Sequence, residues 1–401
     1  MTKKRIIILI SVVLGLFLIA LIGYFFIIQG GPNAPGGIAS KFKGFFPFGG
    51  EETPAPTPEP EPTTPQPKPT NYTQKLRKLS TAPVSGAGTL DVKAGTLVRY
   101  IEKATGHIYE TELFSPNSNR ISNTTIPVVY DAVWGNKNNS LVARYLRADN
   151  QSVDTYSLTV KEVATSSENT ISGIAFPSNI GDVSVFETNV FYLKRNLDSS
   201  TGFVSSFDGK KIKEIWNSPI RELLSQFVNV KTVALTTKPA QGMGGFLYFV
   251  DTSSGQIKKI LANIPGLSTL VSPDGTQVLY LSGNQIYIHD LKSGLSQKTT
   301  PVTFPEKCAW SKKDKNIIYC AVPKENIGGA SLLSWYQGFI SLTDDIWKYD
   351  IKNNTSSLIE NLSNDSGESI DVIKPLLSEN EQYLVFMNKR DNFLWSLDLM
   401  K

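Results

Sequence analysis

A strand-and-turn pattern that returns about every 39 residues constrains this chain more than any other feature. Its fullest unit opens on Val271-Ser272-Pro273-Asp274-Gly275, runs through Val278-Leu279-Tyr280-Leu281 and Ile286-Tyr287-Ile288-His289-Asp290, and closes at Ser293-Gly294. Proline presets φ, glycine accepts positive φ, and the flanking runs are short, β-branched and aromatic. The unit therefore reads as strand, tight turn, strand, turn, strand, turn, strand. Ala309-Trp310-Ser311-Lys312-Lys313-Asp314 with Ile317-Ile318-Tyr319-Cys320 repeats the opening, and Ile346-Trp347-Lys348-Tyr349-Asp350 fills the third-strand slot. Leu376-Leu377-Ser378-Glu379-Asn380, Tyr383-Leu384-Val385-Phe386 and Leu394-Trp395-Ser396-Leu397-Asp398 do so again. Upstream, Leu247-Tyr248-Phe249-Val250-Asp251 with Ser254-Gly255 matches the third strand, as does Val98-Arg99-Tyr100-Ile101-Glu102 with Thr105-Gly106.

Asp251 to Asp290 and Ser272 to Ser311 are each 39 positions apart, the length of a four-stranded propeller blade. Six to seven such units predict an all-β fold, a single β-propeller of six to seven four-stranded blades over residues 84–401. The last unit offers three obvious strands, through Leu394 to Leu399. Either a strand from the N-terminal side completes it and removes a sheet edge, or the first blade is open or irregular.

The Ser272-Pro273-Asp274-Gly275 turn, followed by an apolar strand and an aromatic-apolar strand ending in aspartate, resembles the repeat of TolB-type propellers and of the propeller in dipeptidyl-peptidase IV-like proteins. The resemblance spans about residues 84–401, with the full motif in one unit. It implies four-stranded blades around a central channel, with binding at the channel mouth or on the loops of one face. It is silent on function. In the peptidase relatives a hydrolase domain follows, and no Gly-x-Ser-x-Gly nucleophile elbow stands anywhere in this chain.

Ahead of the repeats, Lys3-Lys4-Arg5 precede an uncharged run from Ile6 to Ile28. About 23 residues rising about 1.5 Å each cover the roughly 30 Å hydrocarbon core, and the basic flank keeps the short N-terminal side in the cytoplasm. A cleaved signal peptide shares the basic start, but its apolar region is shorter and ends on small residues, whereas this run ends in Tyr24-Phe25-Phe26-Ile27-Ile28-Gln29. The reading is a cytoplasmic tail at 1–5, a single-pass signal anchor at 6–28, and a disordered linker at 29–83. Everything beyond the anchor lies outside the cytoplasm. In the linker, Phe42, Phe45, Phe46 and Phe48 beside Lys41 and Lys43 suit the headgroup layer or are incidental to a spacer. Glu51 to Pro69 is dense in proline, which favours extended polyproline II and a reach on the order of 50 Å.

Charge narrows the partners. With 401 residues, 40% hydrophobic and 19% charged, the chain can bury a sizeable core, while a net charge of +4 with dispersed basic residues argues against nucleic acid. Cys308 and Cys320 lie symmetrically about Asp314. If Lys312 to Asn316 turn a hairpin, the two thiols stand opposite each other at a spacing near that of a disulfide, which persists outside the cytoplasm. The alternative is two buried thiols packed as small apolar groups. No histidine or further cysteine joins them, so no metal is assigned.

Candidates for chemistry are few. His107 and His289 are the two histidines, and each reads as structural. Asp344-Asp345 is a carboxylate pair, but adjacent residues on a strand point to opposite faces, so the pair reads as a loop-end turn signal. No catalytic residue and no cofactor is assigned, and the chain is expected not to be an enzyme. The clearest departure from the repeat is an insertion, Pro323 to Thr343, where the neighbouring unit needs Ser282-Gly283-Asn284 alone. Its Trp335, Tyr336 and Phe339 are candidates for partner binding, or else fold back onto the propeller. The functional expectation is a membrane-anchored binding or scaffolding module for a protein or envelope component. An envelope hydrolase acting on glycan or peptide, with carboxylates at the channel, is the alternative, as is an accessory subunit of a transporter or hydrolase.

Overall fold

The computed structural model describes residues 74–149, 151–161, 170–240, 242–300, 302–325, 327 and 332–401. The Ile6–Ile28 run, its basic flank and the linker as far as residue 73 lie outside the described residues, as do Gly328 and Gly329 of the insertion.

Local turn chemistry explains why the repeats become strands. At the first turn of the clearest unit the Ser272 hydroxyl accepts from the Gln277 amide at 2.9 Å and donates to Asp274 at 2.6 Å, while Gly275 takes φ 70°. The same bonds return at Ser378, which accepts from the Tyr383 amide at 3.0 Å and donates to Asn380 at 2.7 Å. There Glu381 holds the left-handed position at φ 55°. In the fourth, fifth and sixth blades the turn ending the third strand is an aspartate cap. Asp251 accepts from the Ser254 amide at 2.7 Å, Asp290 from Ser293 at 2.7 Å and Asp350 from Asn353 at 3.0 Å. An aspartate that satisfies free amides next to a left-handed residue fixes each reversal without tertiary help.

These hairpins assemble among the described residues into seven antiparallel four-stranded sheets. Six are consecutive in sequence, at 84–120, 129–175, 180–218, 223–265, 268–298 and 308–360. The seventh combines Val372–Leu377, Tyr383–Asn388 and Leu394–Asp398 with Leu76–Lys78, which pairs with the last strand in the register Leu76↔Leu397. The strand that closes the ring thus lies inside the stretch expected to be linker, and the propeller begins ahead of residue 84. One assignment changes place: Gly95–Glu102, matched above to a third strand, is the second strand of its sheet.

First strands of successive blades line the ring's interior and bond to one another. Gln226 donates to the Val271 carbonyl at 2.9 Å and accepts from the Val271 amide at 2.8 Å, so one side-chain amide splices two blades. The core lies between blades. Leu279, Leu281, Ile286 and Ile288 of the fifth blade pack on Trp310, Ile318 and Tyr349 of the sixth. Leu76, Leu384 and Leu397 of the seventh pack on Ile346 of the sixth. A disulfide joins Cys308 and Cys320, which face each other across the first two strands of the sixth blade with Cα atoms 4.1 Å apart. In this up-and-down topology the connections between second and third strands open on the same face as the connections between blades. That face carries the site.

Candidate functional site

Three consecutive second strands end in basic residues on this face. Ser140–Leu146 carries Arg144 and leads to Arg147, Asn189–Arg195 ends in Lys194 and Arg195, and Thr232–Thr237 leads to Lys238. Arg221 joins them from the connection between the third and fourth blades. Together they line a cleft of about 1260 Å³ in which Asp154 and Asp182 are the only carboxylates among the lining residues described.

Four of the six cations are held in place by partners among the described residues. Arg144 donates to the Ile180 carbonyl at 3.0 Å and lies 5.3 Å from the centre of the Tyr130 ring. Arg147 pairs with Asp154 at 2.7 Å. Arg195 and Lys238 converge on a single carboxylate, Glu222, at 2.8 and 2.9 Å, so the cleft keeps an excess of positive charge that its own carboxylates do not cancel. Asp182 is the titrating group at the cleft's edge. Burial pushes its carboxyl up to about 6, against the pull of the Ser225 amide at 2.5 Å and the Ser225 hydroxyl at 2.8 Å.

A second pocket of about 530 Å³ adjoins the first and shares Leu224 and Lys238 with it. Leu333 and Tyr336 of the short helix Leu332–Tyr336 form one wall, and Glu306 stands at its base. Burial raises the Glu306 carboxyl, while hydrogen bonds from Ser268 and Tyr336 work to lower it.

The insertion's three aromatics part company. Trp335 is 3% exposed and donates to both oxygens of Asp371 at 3.0 and 3.1 Å. Tyr336 is 39% exposed and turned to Glu306, and Phe339 is 78% exposed. Trp335 is therefore an anchor of the loop, not a surface for a partner. Beneath it lies a charge cluster in which Lys307, wholly buried, donates to Asp344 at 2.6 Å and Asp371 at 2.5 Å. Asp344 is thus no turn signal: it accepts the Val372 amide at 2.7 Å inside the core, while its neighbour Asp345 pairs outward with Lys324 at 3.3 Å. His107 bonds to Thr125 and His289 to Ser296, both away from the cleft.

No protein-family model matches this chain, and no curated protein matches it either. Its backbone matches 951 solved chains, a breadth that marks a common fold and not a family. An oligogalacturonate lyase from Vibrio parahaemolyticus is 10% identical, with a TM-score of 0.54 over 80% of this chain and 93% of that one. An oligogalacturonate lyase in complex with manganese is 12% identical, with a TM-score of 0.47 over 81% and 100%. A chain of a mitotic checkpoint complex is 11% identical, with a TM-score of 0.49 over 86% and 98%. At such identities the likeness is one of fold. It nonetheless corrects the expectation that the chain is not an enzyme, because an enzyme stands on the same fold and the missing nucleophile elbow excludes one chemistry alone. Among the described residues no group of three or more His, Cys, Asp or Glu is placed to hold a metal ion.

Proposed function

We propose that this TolB-type propeller, anchored through Ile6–Ile28 and raised on its proline-rich stalk outside the cytoplasm, holds an extended anionic glycan of the oligouronate kind in the cationic cleft. The observation that carries the reading is the cleft itself, where six cationic side chains from three blades and a connection face two carboxylates. A polyanion crossing several blades meets charge at each step, and charge complementarity of this kind governs orientation and on-rate. The fold shared with an oligogalacturonate lyase is consistent with an acidic sugar chain as ligand. An apolar docking patch built from Trp335 is not supported, since that side chain is buried. Asp182, protonatable near neutral pH at the edge of the cleft, supports proton transfer to or from a bound chain as a second reading.

The test is calorimetry on the detergent-solubilised full chain with trigalacturonate and a neutral glucan trimer. Trigalacturonate should bind, weaken as salt rises, and lose on the order of tenfold in affinity when Lys194 and Arg221 are both changed to alanine. Equal binding of the neutral trimer would sink the proposal. Analysis of the same mixtures for new chain ends, with Asp182→Asn alongside, reads the catalytic arm.

A further inference from the structure

The second pocket differs in chemistry from the cleft it adjoins. Leu224, Leu333 and Pro239 give it apolar walls, and the cation it shares, Lys238, is already paired to Glu222. At its base one oxygen of Glu306 accepts from Ser268 and Tyr336, whereas the other oxygen is buried without a partner among the described residues. An ionised carboxylate placed here would desolvate beside Glu306 with no cation to spare. A hydroxyl or amide N–H of an uncharged unit would instead supply the missing donor, and a buried acceptor left unpaired carries a cost that such a donor removes.

We infer, resting on the cleft reading above, that the pocket is a specificity subsite for a neutral unit, so that the preferred ligand is an acidic glycan in which some carboxyl groups are esterified or amidated. Such a chain lays its charged units along Lys194 and Arg221 of the cleft and its neutral unit against Leu333 and Glu306. The wall is preformed, because Trp335 ties the helix to Asp371 and Tyr336 ties it to Glu306. Leu333 and Glu306 are accordingly specificity residues, and the cationic side chains supply affinity common to all acidic chains.

The experiment uses the solubilised full chain, trigalacturonate, and the same trimer with one terminal carboxyl methylated. The monoester should bind on the order of tenfold more tightly than the acid. Leu333→Trp, which fills the pocket, should erase that preference and leave the acid's affinity unchanged. Glu306→Gln, which removes the repelling carboxylate without changing shape, should erase it by tightening the acid. Equal affinities for acid and ester in the native chain, or a Leu333→Trp variant that weakens both alike, overturn the subsite while the cleft reading stands. Failure of both trimers to bind the native chain overturns the cleft reading and this inference with it. Matched thermal melts of the variants show that any change is not unfolding.

Discussion

Lys307 is the residue on which the insertion hangs. One ammonium between two carboxylates leaves a net negative charge in a dry site, so the cluster is neutral when one carboxyl keeps its proton. Burial accordingly raises Asp344, to about 6, against the opposing pull of Lys307, and the Asp344 oxygen that has no partner is where that proton can sit. Removing the cation strands the pair: Lys307→Met should cost about 3–5 kcal/mol in denaturant unfolding, and an unchanged midpoint would show the cluster to be dispensable. The pH dependence has a definite sign. A carboxyl raised in the native state binds its proton more tightly than in the unfolded chain, so its contribution is favourable at low pH and is lost as pH climbs from about 4 through about 6. Depressed carboxylates such as Asp131 and Glu222 slope the other way, so the comparison must be differential. Asp344→Asn should gain stability relative to the native chain across that window, and parallel curves would refute the assignment. Nothing in Asp344-Asp345 as letters signals this cluster, since its partners are 37 residues upstream for Lys307 and 27 downstream for Asp371. Alternation on the strand did foretell that the two aspartates face apart.

At the scale of elements, the turns were legible because their bonds are local. Ser272 to Gln277 and Asp290 to Ser293 each close a reversal within six residues. The cysteine hairpin is legible for the same reason, its register following from symmetry about Asp314. Closing a loop with a sequence separation of 12 should contribute about 3 kcal/mol by the chain-entropy account, so Cys308→Ser with Cys320→Ser should lower unfolding stability by that order. Equal stability of the pair variant and the native chain would contradict it. The insertion was less legible. Its aromatic content marked it, but whether a Trp faces water or core depends on Phe304, 5.5 Å away between ring centres, and on Asp371 of the next blade.

For the propeller as a whole, closure is the long-range event. Leu76–Lys78 adds the outer strand to the last blade, the Leu79 amide reaches the Leu394 carbonyl at 2.7 Å, and Arg77 bonds the Ser115 carbonyl of the first blade at 3.1 Å. Leu76→Asp places a carboxylate in the core between the sixth and seventh blades, and should lower stability by about 3 kcal/mol and reduce the melting temperature. A variant that melts with the native chain would show the ring to be held shut elsewhere. The sequence by itself determined the blade: its period, its turns, its disulfide hairpin and the number of strands per unit, because each rests on contacts among near neighbours. Tertiary structure alone decided the count of seven, the closing strand, the buried Lys307 cluster and the cationic cleft. Arg144, Lys194, Arg221 and Lys238 are ordinary, scattered basic residues until the ring brings the ends of three second strands to one face, and charge density is a property of that convergence and not of any segment.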